Sequence, residues 1–177
     1  MTPRWLIAAF WASFATAAVV YLVMVLWSLP KIAAEAGGAM PFDMRPAGYT
    51  LEDAQAFLTA LSPEGNAFYR ETQHRLDSLY PPLLAATLGL GLWIMAPCTS
   101  PWLRASLALF AVPGMVFDLT ENLLVADMLM SQAGSPDAEL AMLASAATVL
   151  KSVFTTLAMS LLLILTGWWA WKRWRRI

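Results

Sequence analysis

Charged residues are scarce in this 177-residue chain. Asp, Glu, Lys and Arg together make up 13% of it, whereas hydrophobic residues make up 59%. A soluble domain of this length needs far more charge to cover its surface, so the composition predicts a single-domain integral membrane protein. The formal net charge of -1 argues against a nucleic-acid-binding protein, and we predict no nucleic-acid partner.

Cysteine and histidine are almost missing, with Cys98 and His74 as the only examples. A single cysteine excludes an intrachain disulfide and cannot form a structural metal site by itself. The sequence also lacks a cofactor fingerprint. A metal site at Asp118 and Glu121 would need further nitrogen or carboxylate donors. We therefore predict neither a metal nor a cofactor.

Long apolar runs are what the chain does contain. Four of them approach the ~20 residues that a helix needs to cross a bilayer. They predict an all-α, four-helix transmembrane bundle with spans at residues 5–29, 79–96, 105–130 and 147–171. The first run is far longer than the ~7–15 apolar residues of a secretory signal, so we expect it to be retained.

The distribution of Lys, Arg and Trp predicts an orientation. Basic residues flank one side of the spans, at Arg4, Arg104, Lys172, Arg173, Arg175 and Arg176, and the connection at residues 131–140 has none. Eight tryptophans fall at the same predicted interface: Trp5, Trp11, Trp93, Trp102, Trp168, Trp169, Trp171 and Trp174. Both patterns predict a multi-pass protein of the cytoplasmic (inner) membrane with both termini in the cytoplasm.

The connection at residues 30–78 is predicted to form a small helical cap on the extracytoplasmic side. Thr50 and Asp53 have the spacing of a capping box, followed by an apolar helix face. A Ser-Pro-Glu sequence at residues 62–64 is typical of a second helix start. That helix should run towards span two, where the Pro81–Pro82 pair is expected to kink or break it.

The most informative residues are three polar side chains inside the third span. Asp118, Glu121 and Asn122 are three and four residues apart and therefore share a helix face. A charged group near the bilayer centre costs about 2.5–3.5 kcal/mol, so these side chains must face protein, water or a ligand. Burial and proximity make proton exchange by the two carboxyls chemically available.

Lys151 in the fourth span is predicted to lie at the same depth as Asp118 and Glu121, which makes it their counter-ion. Asp77 and Tyr80 approach this level from the start of span two. We therefore predict one polar cluster beneath the cap. The alternative is purely structural, because polar contacts between membrane helices commonly lock their register at ~0.6 kcal/mol each.

Three functions remain open from the sequence. The first is binding of a membrane lipid or another amphipathic small molecule in a pocket formed by this cluster, with Arg45, Tyr49 and Arg70 of the cap as headgroup contacts. The second is an enzyme in which Asp118 or Glu121 acts as acid or base on a lipid-soluble substrate. The third is an accessory subunit with a protein partner, or a homo-oligomer.

A resemblance depends on these positions and several others: Gly48, Tyr49, Thr50, Glu52, Pro63, Glu64, Gly65, Asp77, Tyr80, Pro81, Asp118, Glu121, Asn122 and Lys151. With them the chain resembles, over nearly its whole length, a group of uncharacterised four-span bacterial membrane proteins. The resemblance implies the topology and no particular activity. A weaker similarity to four-span sterol-isomerase and sigma-2-like proteins, which also hold intramembrane acids in a bundle pocket, concerns architecture alone because their full motif is absent.

Overall fold

The computed structural model describes residues 3–131 and 136–175, which form helices joined by short connections. The α-helices are α1 (Arg4–Val23), α2 (Leu29–Glu35), α3 (Leu51–Ala60), α4 (Pro63–Phe68), α5 (His74–Met95), α6 (Pro101–Leu109), α7 (Val112–Met130) and α8 (Ala138–Trp174). Arg176 of the basic cluster and residues 132–135 of the connection at 131–140 lie outside the described residues.

These helices combine into four long apolar stretches: span one (Arg4–Glu35), span two (Pro63–Met95), span three (Pro101–Met130) and span four (Ala138–Trp174). Each is long and apolar enough to cross a membrane, so the prediction of an all-α four-helix bundle in a multi-pass membrane protein is confirmed. At 30 to 37 residues the spans are about 45–55 Å long. Because a hydrocarbon layer is ~30 Å thick, they extend beyond it.

Two of the spans contain a single π-helical turn. Residues Met24–Ser28 form the turn that joins α1 to α2, and residues Tyr69–Gln73 form the one that joins α4 to α5. The first turn lies just before Pro30, which has no N–H for helical hydrogen bonding. The two turns contact each other across the interface between spans one and two.

Residues 36–62, called the cap below, connect spans one and two and contain the 3-10 turn Phe42–Met44 and helix α3. The cap packs against the adjoining ends of the spans, and we call this the cap end of the bundle. Its apolar side chains join those of the spans in one buried cluster that includes Ile32, Phe42, Phe57, Tyr69, Met128 and Ala144. Burial of this surface fixes the cap on the bundle.

Both predicted helix starts in this region are confirmed. Thr50 Oγ1 accepts a hydrogen bond from Asp53 N at 3.1 Å, and Asp53 Oδ2 accepts one from Thr50 N at 3.0 Å, which completes the capping box of α3. Ser62 Oγ accepts from Gly65 N at 3.0 Å at the start of α4. These caps satisfy N–H groups that have no partner within their helix.

The charge of Asp53 makes the stability of the folded cap depend on pH in a predictable way. The hydrogen bonds from the Thr50 backbone and hydroxyl lower the pKa of Asp53 below its ordinary value of 3.8. The charge therefore stabilises the folded cap above pH 3.8, and the effect is lost as the pH falls through the lower folded-state pKa. We expect Asp53→Asn to lower the Tm by about 2 °C at neutral pH. Thermal unfolding in detergent measures the Tm difference between the two proteins, which should shrink below pH 3.8. A Tm difference that does not change with pH would contradict this prediction.

Of the kink or break expected at Pro81 and Pro82, the break is wrong, because α5 continues through both residues. Pro81 has no N–H to donate to the carbonyl four residues earlier, which belongs to Asp77. That carbonyl instead accepts a hydrogen bond from Asn122 Nδ2 of span three at 2.7 Å. The polar side chain of a neighbouring span therefore supplies the partner that proline removes, which allows the helix to continue.

The cap is also tied to span four at a glycine. Gly48 has a φ of +83°, a conformation that side-chain-bearing residues rarely adopt. A Cβ at this position would lie 2.7 Å from Ser145 Oγ of span four. The same hydroxyl accepts a hydrogen bond from Tyr49 N at 2.8 Å. This close approach leaves room for glycine alone and places Tyr49 above the polar cluster.

At the opposite end, where both described chain ends lie, the bundle exposes large side chains. Span two still packs there, since Gly91 lies against Leu162 of span four and Phe10 of span one. Trp168, Trp169 and Trp171 of span four are about half-exposed and Trp174 is mostly exposed, and Lys172 Nζ lies 3.6 Å from the Trp168 ring centroid. Aromatic and cationic side chains of this kind are typical of a membrane–water interface.

Candidate functional site

An ion triad joins spans three and four just beneath the cap. Lys151 Nζ lies 2.9 Å from Asp118 Oδ1 and also contacts Glu121 Oε2. The predicted counter-ion is therefore in contact with both carboxylates. Glu121 is 0% exposed, whereas Asp118 and Lys151 are each 16% exposed. Because a buried charge is costly without a partner, this arrangement compensates Glu121 and holds the two spans together.

The two carboxylates of span three have different surroundings. Glu121 Oε1 accepts a hydrogen bond from Thr148 Oγ1 at 2.7 Å, so its oxygens face Thr148 and Lys151 inside the protein. Asp118 lies one helical turn away and contributes to the wall of a cavity. Of the two predicted acids, Asp118 is thus the one that an entering molecule would contact.

A second polar chain connects spans one and two through the π-helical turns. Ser28 Oγ donates to Gln73 Oε1 at 2.5 Å, and Gln73 Nε2 donates to Asp77 Oδ1 at 2.9 Å. Ser28 and Gln73 are both 0% exposed, and Asp77 is 6% exposed. The π turns turn Ser28 and Gln73 towards each other, as such bulges often do at functional sites. This series of hydrogen bonds ends at Asp77 and fixes the orientation of its carboxyl group.

The cap contributes a carboxyl that was not predicted. Asp43, in the 3-10 turn Phe42–Met44, accepts a hydrogen bond from Tyr69 Oη at 2.5 Å and lines the same cavity as Asp77 and Asp118. Tyr69 is 2% exposed, so this bond is buried. The signal in the sequence is weak, because a lone acid between prolines is also typical of a solvated turn.

The cavity has a volume of about 370 Å³ and two chemically different walls. Span one supplies the apolar wall with Tyr21, Met24, Val25 and Leu29. The polar wall comprises Asp77, Tyr80, Asp118, Lys151, Ser152 and Thr155. Asp43 and Met44 of the cap close one end, and Leu84 of span two completes the lining. A cavity with this size and polarity resembles a small-molecule site.

The open side of the cavity follows from how the spans pack. Span two contacts each of the other three spans, and span three packs against span four. Within the described parts of the chain, spans one and four share no extended interface. Since residues of both spans line the cavity, its open side lies at the gap between them. Tyr21 at this opening is 48% exposed.

The structure brings together most, though not all, of the predicted site residues. Asp77, Tyr80, Asp118 and Lys151 line the cavity; Glu121 and Asn122 lie behind it in hydrogen bonds between spans. The remaining three are in the cap and on span two: Arg45, Tyr49 and Arg70. None of these three belongs to the cavity lining.

Arg45 and Tyr49 have local roles in the cap. Both Nε and Nη2 of Arg45 donate to Met40 O, at 3.0 and 2.8 Å. The Tyr49 ring packs on Phe42 with 4.8 Å between centroids. Burial, and then the nearby charge of Glu121, raise the pKa of the Tyr49 phenol, so it stays neutral at physiological pH.

Neither a metal-binding group among the described residues nor a match to a known protein identifies this site. Among the described residues, no group of three or more His, Cys, Asp or Glu side chains is placed to hold a metal ion. Comparison with protein-family models, with curated proteins and with solved structures found no match. The resemblance to four-span bacterial membrane proteins therefore stays a prediction.

Proposed function

We propose that this membrane protein binds a lipid or another amphipathic small molecule in the cavity between spans one and four. The observation that carries the proposal is a cavity of about 370 Å³ with an apolar wall, a polar wall and an open side between spans one and four. An amphipathic molecule has the matching division, since its tail suits the lipid-facing side and its head suits the polar side.

The polar network supports a ligand site over a purely structural one. Three carboxyls, Asp43, Asp77 and Asp118, line the same cavity besides making their own hydrogen bonds, whereas a structural lock requires the hydrogen bonds alone. Intramembrane ionisable groups that face a cavity are commonly functional, because their position is costly otherwise. The proposed location is the cytoplasmic membrane with both termini in the cytoplasm, and the basic residues at the terminal end support it.

Filling the cavity tests the proposal. Ser152 lines the cavity, and within the described part of the chain its hydroxyl bonds only to Thr148 O of its own helix, at 2.8 Å. Ser152→Phe should therefore block the site without removing a hydrogen bond between spans. Val153, its neighbour, is 47% exposed, and Val153→Phe is the matched control. We expect co-purified lipid per mole of protein, measured by mass spectrometry, to fall about tenfold in Ser152→Phe alone. Equal lipid content in both folded variants, extracted at the same low ratio of detergent to protein, would refute the proposal.

A further inference from the structure

The cavity has an excess of acceptors over donors. Three carboxyls line it, Asp43, Asp77 and Asp118, whereas Lys151 is the one cationic side chain among the described lining residues. Lys151 is already in contact with Asp118 and with Glu121 behind the wall. It therefore has little to offer an anionic head, and carboxyl groups outnumber cationic groups three to one among the described lining residues.

Each of the three lining carboxyls has one oxygen in use and one free of protein hydrogen bonds. Tyr69 donates to Asp43 Oδ2, Gln73 donates to Asp77 Oδ1, and Lys151 donates to Asp118 Oδ1. The second oxygen of each makes no hydrogen bond within residues 3–131 and 136–175. The bonded oxygens fix the three side chains in place, and all three residues line the same cavity.

A cationic donor group complements this wall. An ammonium head supplies up to three N–H donors and a positive charge, whereas a phosphate or carboxylate supplies only acceptors and negative charge. Tyr21 and Tyr80 also line the cavity, with their ring centroids 5.8 Å apart, and tyrosine faces attract cations. A neutral head such as a hydroxyl offers the three carboxyls a single O–H donor and no positive charge, so it complements this wall less well.

We infer that the amphipathic ligand carries a cationic ammonium head, which the carboxyls of Asp43, Asp77 and Asp118 receive while its tail lies along span one. This inference rests on the proposed function and specifies the ligand class of that same site. It also replaces the expected role of Arg45 and Arg70 as headgroup contacts, since neither lines the cavity. The head is held by acceptors from the cap, span two and span three.

Three probes with one chain length test the inference: tetradecylamine, tetradecanol and tetradecyl phosphate, each added to the full-length protein in maltoside micelles. Binding is measured by native mass spectrometry. We expect the amine to bind about tenfold more tightly than the alcohol, and the phosphate to bind most weakly. Asp77→Asn should reduce the preference for the amine over the alcohol about tenfold. Asp43→Asn, outside the spans, should reduce it as well and serves if Asp77→Asn does not fold.

The controls separate the inference from the proposed function. Asp127 is an exposed acid of span three that does not line the cavity, so Asp127→Asn should keep the full preference for the amine. If the phosphate or the alcohol binds as tightly as the amine, and Ser152→Phe abolishes that binding, the ammonium inference is wrong and the proposed function stands. A preference that survives both Asp77→Asn and Asp43→Asn also overturns the inference. If Ser152→Phe changes the binding of none of the probes, the proposed function fails too.

Discussion

Lys151→Met is expected to destabilise the bundle by about 3–5 kcal/mol, the usual cost of removing one partner from a buried ion pair. Glu121 is 0% exposed, and Lys151 is its ionic partner. Methionine has a similar length but no charge, so the variant would leave the carboxylate beside Thr148 alone. The measurement is reversible unfolding of the purified protein in mixed micelles, with Tm as a second readout.

Two further variants show whether the lost charge causes the loss of stability in Lys151→Met. Lys151→Arg keeps the positive charge and should lose much less stability than Lys151→Met, although its planar head fits the site less well. Glu121→Gln combined with Lys151→Met also removes the fully buried carboxylate and should recover part of the loss, since Asp118 still lacks its cationic partner. If the double variant is as unstable as Lys151→Met, the loss of stability comes from packing, and the charge of Glu121 does not account for it.

Asn122→Leu is expected to cost about 1–3 kcal/mol, because it leaves the Asp77 carbonyl buried without a partner. Asn122 is 4% exposed and donates to that carbonyl at 2.7 Å. Leucine has a similar volume, so the change removes the hydrogen bond with little change in packing. Unfolding in mixed micelles measures the loss.

The proline in span two provides a specific rescue. Pro81→Ala restores a backbone N–H that can bond to the Asp77 carbonyl, so Asn122→Leu should cost at least about 1 kcal/mol less in a Pro81→Ala background. Pro82→Ala is the control, since it restores an N–H for the Ser78 carbonyl, which Asn122 does not contact. An equal cost in all three backgrounds would mean that Asn122 acts through something other than this carbonyl.

Local and periodic features were predictable from the sequence. Four apolar runs define the spans because the bilayer requires ~20 apolar residues for each crossing. The capping box at Thr50 depends on residues three apart, so its chemistry is fully local. The continuity of span two through Pro81 was not predicted, because its cause is an asparagine 41 positions later in the chain.

The site was predictable only where depth in the membrane determines position. Asp118 and Lys151 are matched in depth, and counting from the span ends was enough to pair them. Depth does not show which way a side chain points, so Asp118 and Glu121 looked equivalent although one lines the cavity and the other does not. Asp43 reaches the site through the tertiary fold of the cap, for which a turn sequence gives no periodic signal.

Within the described residues, spans one and four share no extended interface, and this gap determines how the concentration of a ligand should be expressed. A molecule that enters through this gap comes from the bilayer, so its occupancy depends on its mole fraction among the surrounding lipids. Dilution of the aqueous phase then has little effect, whereas adding inert lipid or detergent lowers occupancy. A hydrophobic ligand that looks weak by its total concentration can therefore fill the cavity in a native membrane, and purification in excess detergent removes it.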